Sequence, residues 1–363
     1  MEFDYEPNLK SKKFYEFLRN KILTENYKPG DKFYSIREIV KKYNVGNVTV
    51  STAISNLTRE GLLYTEHGRG TFIGDIEKID KEIKLVGLIL FNFRRFYDVE
   101  IGDLEVIQQI LRPNCFVIPY SIDNDMNKFY KALRGLKQLD IRGIIASVPT
   151  SGDYDVEYIK DIIGDTPVVF ENRRIPGINA SFVSLDYELG GYIATKHLLE
   201  KNRKRIAFIN SISTDIASRI YSGYKRALDE AGIPVKQDYI IDIEHNDIIE
   251  GRLDTAIIPV EKKLLSLSGE IDGIFSNELA LYKLNEFFTK TSIKVPEDIS
   301  LVGFGNLWFS QYMLPPLTTV EYPRYELSSV SAKTIKDMMN KKDEEREYKN
   351  IILKPNLIVR KSS

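Results

Sequence analysis

Residues 35–57 read SIREIVKKYNVGNVTVSTAISNL, and this stretch decides the fold of the first part of the chain. Ser35, followed by Glu38 three positions later, forms a capping-box pattern that predicts the start of a helix. The turn Asn44-Val45-Gly46 separates that helix from a second one, expected over Asn47 to Glu60. Two short helices joined by a short turn that contains glycine are typical of a helix-turn-helix.

The segments on either side extend this motif. Residues 12–26 carry apolar side chains at helical spacing, which predicts one more helix before it. Residues 62–73, LLYTEHGRGTFI, predict two short strands around a glycine-rich tip that bears His67 and Arg69. The first part of the chain is therefore predicted to be a winged helix-turn-helix.

The charge distribution indicates what this segment binds. The whole chain has a net charge of −1, but residues 10–72 contain 12 Lys and Arg against 6 Asp and Glu. A basic segment in an otherwise slightly acidic chain is expected to meet a polyanion. The helix over residues 47–60 is predicted to bury Val50, Ala53, Ile54 and Leu57, which leaves short polar side chains near its start facing outward. Such side chains can approach base edges in the major groove, so double-stranded DNA is the predicted partner.

The rest of the chain has a different pattern. Residues 75–83 are mostly polar and charged, which predicts a linker. From Lys84 onward, apolar strands alternate with amphipathic helices. Strands are expected at 85–90, 116–120, 143–146, 168–170, 182–185, 206–209, 273–276 and 300–303, and helices at 125–139, 188–202, 219–231 and 280–290.

This alternation predicts an α/β fold with parallel sheets that are covered on both faces. The strands are too many for one ordinary sheet, so we expect a two-lobed, doubly wound domain. Ligands of such domains lie at the carboxyl ends of the strands, in the cleft between the lobes. The predicted domains are a winged helix-turn-helix at 1–74, a linker at 75–83 and a two-lobed effector-binding and dimerisation domain at 84–363.

The first segment resembles the GntR family. The residues that carry the resemblance are Lys28-Pro29-Gly30-Asp31-Lys32, Ser35-Ile36-Arg37-Glu38-Ile39, Thr49-Val50, Glu60-Gly61-Leu62-Leu63 and Gly68-Arg69-Gly70-Thr71-Phe72. The DNA-contacting positions that this resemblance implies are Ser35, Arg37, Asn47, Thr49, Ser51, Thr52, His67, Gly68 and Arg69.

One departure from the family pattern bears on the operator sequence. Gly46-Asn47 stands where the family usually has Ser-Arg, and the Asn47 amide can read adenine instead. Two other interpretations of the implied contacts stay open. In the first, Arg37 forms an ion pair with Glu38 or Glu60 instead of a phosphate contact. In the second, Thr49 and Ser51 are only solvated surface residues.

The second part resembles regulators of the LacI/GalR type and, more distantly, periplasmic sugar-binding proteins. The phrases that carry this resemblance are Ser184-Leu185-Asp186-Tyr187-Glu188-Leu189-Gly190-Gly191, Gly223-Tyr224-Lys225-Arg226-Ala227-Leu228, Val295-Pro296-Glu297-Asp298-Ile299-Ser300-Leu301-Val302-Gly303 and Pro315-Pro316-Leu317-Thr318-Thr319-Val320. The combination of the two parts resembles the arabinose-repressor type of regulator.

The resemblance implies ligand contacts from polar and aromatic residues. The polar candidates are Asn172, Arg219, Asn277 and Asn306, and Phe93, Tyr97 and Trp308 offer ring faces for stacking, with core or dimer packing as the other interpretation of the rings. Asn277-Glu278 replaces the usual Asn-Asp, and Gly305-Asn306 replaces a usual Asp-Asp. The second change removes carboxylates that would accept hydrogen bonds from sugar hydroxyls.

These features favour an effector-responsive DNA-binding transcriptional regulator, expected to repress carbohydrate-related genes. We expect it to bind a palindromic operator as a homodimer, with a sugar or sugar derivative as its effector. One alternative is a regulator with a phosphorylated ligand, a non-sugar ligand or no small-molecule ligand. A second alternative is an enzyme fused to a DNA-binding head, but no catalytic arrangement is recognisable.

Several kinds of site are not expected. No cofactor motif is present, and His197 and His245 have no partners at metal-ligand spacing, so no metal site is predicted. His197 is expected on the surface of a helix. The sequence has neither a signal-peptide pattern nor an apolar run long enough to span a bilayer, so we expect no membrane contact and a cytoplasmic protein.

Overall fold

The computed structural model describes residues 7–25, 27–66, 68–75, 83–91, 99–112, 114–150, 153–212, 214–243 and 252–363. The chain divides into two compact units, Met1–Ile83 and Lys84–Ser363. Most of the predicted linker, residues 76–82, lies outside the described residues.

The first unit is a winged helix-turn-helix, as predicted. Its elements are α1 (Pro7–Thr24), α2 (Ile36–Tyr43), α3 (Asn47–Arg59), β1 (Leu63–Glu66) and β2 (Gly70–Ile73), and the two strands pair antiparallel. Both bonds of the capping box at Ser35 and Glu38 form at the start of α2. Asn44 ends α2 in the left-handed conformation, with φ 50°, and so turns the chain into α3.

The core of this unit follows the predicted pattern. Leu18 and Ile22 of α1 and Ile39 of α2 are buried against α3. The stripe predicted for α3, consisting of Val50, Ala53, Ile54 and Leu57, is buried. This packing fixes which face of α3 remains in solvent.

The second unit contains two α/β lobes. Lobe 1 begins with β3 (Lys84–Leu90), α4 (Val99–Leu111), β4 (Cys115–Ser121), α5 (Met126–Gln138), β5 (Gly143–Ser147), α6 (Val156–Ile163), β6 (Val168–Glu171) and β7 (Ser181–Leu185). Lobe 2 contains α7 (Tyr187–Glu200), β8 (Ile206–Asn210), α8 (Asp215–Glu230), β9 (Ile240–Asp242), α9 (Leu253–Ser266), β10 (Gly273–Ser276), α10 (Glu278–Lys290), β11 (Ser300–Gly305) and β12 (Thr318–Glu321). The chain then returns to lobe 1 through α11 (Arg324–Met339) and β13 (Asn350–Leu353), and β14 (Asn356–Ile358) joins lobe 2.

Each lobe has a six-stranded sheet. The strand orders are β13-β7-β6-β5-β3-β4 in lobe 1 and β14-β12-β11-β10-β8-β9 in lobe 2. All neighbours pair parallel except β14, which runs antiparallel to β12 at the sheet edge. Because the chain crosses between the sheets after β7, after β12 and after β13, three segments connect the lobes. The predicted α/β class with two doubly wound lobes is confirmed.

Some elements differ from the sequence prediction. Helix α8 begins at Asp215, capped by the Thr214 hydroxyl, four residues before the predicted start. The short strands β9, β12, β13 and β14 were not predicted.

The prediction for His197 was wrong. Its side chain is only 8% exposed, because the chain terminus returns over α7 and brings the Ser363 Oγ within 2.8 Å of His197 Nε2. Burial lowers the pKa of the His197 imidazole.

Two glycines allow α7 and α8 to pack backbone against backbone. A Cβ on Gly191 would collide with the carbonyl oxygen of Ile220, and a Cβ on Gly223 would collide with the carbonyl oxygen of Glu188. Both neighbours are backbone atoms rather than flexible side-chain ends, so neither can move aside at a small cost in free energy. This close crossing holds α7 against the rest of lobe 2.

We therefore expect Gly223→Ala to lower the free energy of unfolding by about 1–3 kcal/mol, the usual cost of overpacking. Gly135→Ala is the matched control, because Gly135 lies at an exposed position of α5 with open space around it. There alanine should raise stability by about 0.5–1 kcal/mol through helix propensity. Urea denaturation of both variants measures the two effects, and equal changes would contradict the close crossing.

Candidate functional site

The outer face of α3 is the first candidate site. We define it as Asn47, Val48, Ser51 and Thr52, which are exposed opposite the buried stripe. Thr49, at the border of the stripe, is half-buried. These short side chains occupy the first two turns, the part of a recognition helix that enters the major groove.

The other residues that are predicted to contact DNA differ in the partners that their side chains have within the protein. The Ser35 hydroxyl is engaged by Glu38, with 2.8 Å between Ser35 Oγ and Glu38 Oε2. Arg37 is exposed and, among the described residues, has no ion-pair partner. The alternative pairing of Arg37 with Glu60 is not observed, since Glu60 binds Arg19 at 3.0 Å and Tyr15.

The tip of the β1–β2 hairpin supplies the remaining predicted contacts. Gly68 has φ 75°, a left-handed conformation that suits glycine. Arg69 is exposed and pairs with Glu66, with 2.6 Å between Nη1 and Oε2. A pair this exposed contributes little to stability, so a phosphate can replace the carboxylate. His67 lies outside the described residues.

A cavity of about 390 Å³ between the two lobes is the second candidate site. The carboxyl ends of β3, β5 and β6 in lobe 1 and of β8, β10 and β11 in lobe 2 converge on it. Its polar wall includes Ser147, Thr150, Glu171, Asn172, Arg173, Asn210, Ser211, Thr214, Asn277, Glu278 and Arg324, and its aromatic wall includes Phe91, Tyr187, Phe304 and Tyr322. Polar groups beside ring faces are suited to a polar ligand that contains a ring.

Among the described residues, two donors on side chains that line this cavity are buried without a protein partner. They are Arg173 Nη2 and Asn277 Nδ2. The rest of each side chain is held in place, because Arg173 Nη1 donates to the Pro149 carbonyl at 3.0 Å and Asn277 Oδ1 caps α10 through Ala280 N–H at 3.0 Å. A buried donor without a partner costs about 1–3 kcal/mol, so acceptor oxygens of a ligand would relieve both groups.

Asn172 lies at the cavity but is already bound within the protein. Its Nδ2 donates to the Tyr322 hydroxyl at 2.6 Å, and its Oδ1 accepts from the Tyr187 hydroxyl at 2.9 Å. Tyr187 and Tyr322 belong to two of the segments that connect the lobes, and their rings stack at 6.5 Å. Burial raises the pKa of Tyr187 well above its ordinary value, so its hydroxyl remains a donor. We call these three residues the crossover network.

Three other predicted ligand residues, Arg219, Asn306 and Trp308, do not line the cavity. The Arg219 guanidinium lies over the Tyr187 ring of the crossover network, 5.2 Å from the ring centre. The Asn306 amide is held by Arg360 at 2.9 Å and Glu321 at 3.3 Å. Trp308 is 60% exposed. Phe93 and Tyr97 lie outside the described residues.

Glu278 has a role that the sequence did not indicate. Its side chain is 1% exposed, and its carboxylate accepts from Asn306 N–H at 2.9 Å, from Leu307 N–H at 2.5 Å and from the Thr319 hydroxyl. Burial raises the pKa of the Glu278 carboxyl, and these hydrogen bonds oppose that rise. Gly303 leaves room for this side chain, since a Cβ there would lie 2.8 Å from Glu278 Cγ. The carboxylate therefore fixes the loop that follows β11.

Some site residues could have been found from the sequence. Val48 lies two positions before Val50 and so falls off the buried stripe, which predicts an exposed apolar side chain. Arg173 directly follows Asn172 at the end of a strand. The contacts of Glu278, by contrast, depend on residues far along the chain and have no local signal.

Comparison with known proteins identifies both parts of the chain. Residues 10–73 match the model of bacterial regulatory proteins of the gntR family, and residues 195–363 match that of a periplasmic binding protein-like domain. The chain joins a GntR-type head to a periplasmic-binding-protein-like domain. The arabinose metabolism transcriptional repressor of Geobacillus stearothermophilus is 25% identical over 352 residues, 94% of each chain. The regulator RegA of Clostridium saccharobutylicum is 27% identical over 344 residues, 91% of this chain and 99% of that protein.

Solved structures share the fold. The transcriptional regulator CelR in complex with cellobiose has a TM-score of 0.65 at 18% identity, and the match covers 91% of this chain and all (100%) of CelR. A LacI family regulator from Enterococcus faecium with bound ribose has a TM-score of 0.64 at 23% identity, and the match covers 77% of this chain and 98% of that one. In the part of our chain that the structure describes, no helix is long and apolar enough to cross a membrane.

We expect Glu278→Gln to lower the free energy of unfolding by about 1–3 kcal/mol, because one amide end would face a donor that now binds a carboxylate oxygen. Glu286→Gln is the control in the same helix, since Glu286 is exposed and forms an exposed ion pair with Lys290. That change should stay within about 0.5 kcal/mol. Thermal and urea unfolding compare the two variants, and an unchanged Glu278→Gln protein would show that the carboxylate does not fix the loop.

Proposed function

We propose that this protein is a DNA-binding transcriptional regulator whose affinity for DNA is set by a small molecule in the cavity between the lobes. The observation that carries the proposal is the presence, in one chain, of a winged head with an exposed polar recognition helix and a cavity with two buried, unpartnered donors. The curated relatives that span most of the chain are transcriptional regulators, which supports a regulator rather than an enzyme. A protein that binds bacterial DNA acts in the cytoplasm.

The proposed effector is a sugar or sugar derivative. Arg173 Nη2 and Asn277 Nδ2 would donate to its oxygens, and the aromatic wall would cover its ring. The names of two relatives of known structure, with cellobiose and ribose bound, support this class. The name of the arabinose repressor supports a repressor of carbohydrate-related genes.

A phosphorylated sugar is the second candidate effector. Two guanidinium groups, Arg173 and Arg324, line the cavity and would bind a phosphate. Two carboxyl side chains, Glu171 and Glu278, line the same cavity and would repel it. The neutral sugar is therefore the first proposal.

We further propose that the protein acts as a homodimer on a palindromic operator, with the head within residues 1–74 and the effector domain over 84–363. Two heads that bind two half-sites together gain affinity and specificity over one. The effector changes DNA affinity only through its differential affinity for two conformations, a coupling of about 1–3 kcal/mol in typical cases. The three segments that connect the lobes are the elements that such a change would move.

The test combines two measurements on the full chain. Fluorescence anisotropy at low and moderate salt measures binding to duplexes from the region upstream of the protein's own gene. Thermal shift with neutral sugars, sugar phosphates and nucleosides identifies the effector class. The absence of duplex binding at low salt would refute the proposed function, and stabilisation by sugar phosphates alone would favour the second effector.

For the head, we expect Arg37→Ala to weaken binding by a similar factor on every operator variant. A residue that binds phosphate carries no sequence information, and its removal should reduce the slope of log K against log salt by about one unit. Arg59→Ala is the control, because Arg59 lies at the far end of α3 and binds Asn56. If the loss for Arg37→Ala depended on the operator sequence, Arg37 would read a base instead.

For the cavity, we expect Asn277→Asp to weaken effector binding about 2- to 12-fold, the loss of one hydrogen bond. The new carboxylate keeps the oxygen that caps α10 and replaces only the unpartnered amino group. Asp and Asn cap helices equally well, but the new carboxylate oxygen is buried without a partner, so the unliganded protein should be less stable than the wild type and the titration is made well below its unfolding temperature. Isothermal titration with the sugar found by thermal shift measures the change, and unaltered affinity would remove Asn277 from the effector site.

A further inference from the structure

Val48 is the most exposed large apolar side chain among the described residues of the first unit. It is 81% exposed, whereas Ile83, the last residue of that unit, is 62% exposed and Phe17 is 46% exposed. The side chain does not belong to the core that α1, α2 and α3 form around Leu57. Packing of the unit therefore gives no reason for a valine at this position.

The neighbours of Val48 make it the apolar centre of a polar face. Asn47 precedes it, and Ser51 and Thr52 lie one turn later, so the outer face of α3 has one apolar member. The Thr52 hydroxyl donates to the carbonyl oxygen of Val48 at 2.9 Å, which turns that donor toward the helix backbone. Val48 is thus left as the exposed group that can make an apolar contact in the first turn.

The charge around this face identifies the occupant. Residues 10–72 carry 12 basic against 6 acidic side chains, so a polyanion is favoured over an apolar partner protein. In the major groove of DNA, the apolar group on a base edge is the 5-methyl of thymine. A valine at the start of a helix in that groove is complementary to this methyl group.

We propose that Val48 is a specificity-determining residue that packs against the 5-methyl of one thymine in each operator half-site. This inference rests on the proposed function, because it requires α3 to enter the major groove. It adds that one thymine of the half-site is read by shape and apolar contact rather than by hydrogen bonds. Asn47 alone, through hydrogen bonds, would not distinguish thymine from uracil.

The experiment replaces thymine by deoxyuridine in the duplex that the full chain protects in a footprint of its upstream region. Each substitution removes one methyl and keeps every hydrogen-bonding group of the base. At one thymine of each half-site we expect the Kd of the wild type to rise about three- to tenfold. In Val48→Ala the Kd should be the same on the thymine and uracil duplexes at that position.

Two controls separate this reading from general damage. Val48→Thr keeps the shape and one methyl, so it should retain part of the sensitivity to uracil. Asn47→Ala should bind more weakly but keep the full sensitivity at the same thymine. Alanine is a better helix former than valine, so α3 should persist in Val48→Ala, which circular dichroism checks.

Three outcomes decide the inference. Sensitivity to uracil that disappears in Val48→Ala supports it. Duplex binding by the wild type without any sensitive thymine, or with a sensitivity that Val48→Ala retains, overturns it and leaves the proposed function intact. Failure of the wild type to bind any duplex overturns the proposed function itself.

Discussion

The crossover network is the interaction on which the second unit most depends. Asn172 ends a strand of lobe 1 in a left-handed conformation, with φ 62°, and its amide joins Tyr187 and Tyr322 on two segments that connect the lobes. Asparagine tolerates this conformation better than most residues and supplies both a donor and an acceptor. Because Arg219 and Arg324 lie over the two tyrosine rings, cations reinforce the same contacts. These polar groups join two of the connecting segments, in addition to the buried apolar cluster that contains residues of both lobes.

The two residues at the start of α10, Asn277 and Glu278, have different polar partners. Asn277 caps the helix with its oxygen and leaves its amino group to the cavity, whereas Glu278 directs its carboxylate to the loop after β11. Glu278 stands where LacI/GalR-type regulators usually have Asp, so its side chain is longer by one methylene. Gly303 provides the space for this longer side chain. A carboxyl at this point therefore serves the protein rather than a ligand. The donors that remain, on Asn277 and Arg173, favour a ligand rich in acceptor oxygens.

Local patterns were sufficient to predict most of the fold. The capping box at Ser35 and the buried stripe through Leu57 depend on residues within two turns of each other, so both could be derived from the sequence. The cavity could be predicted only as a place, at the carboxyl ends of parallel strands. Which side chains face it depends on contacts between distant residues, as for Asn306, whose amide is occupied by Arg360. His197 was assigned to the surface for the same reason, since the chain terminus that covers it lies far along the sequence.

At the start of α3, the first unit differs from the gntR family pattern that it matches. An arginine in place of Asn47 would bring charge and long reach to the start of α3, whereas the outer face here has short side chains and one exposed valine. Short side chains contact bases only if the helix backbone lies close to the groove floor, which makes shape and methyl groups more important than charge. In the proposed complex with DNA, the phosphate contacts would then come from Arg37 and from Arg69 at the hairpin tip. Under this proposal affinity and sequence recognition depend on different residues, and mutations can separate them.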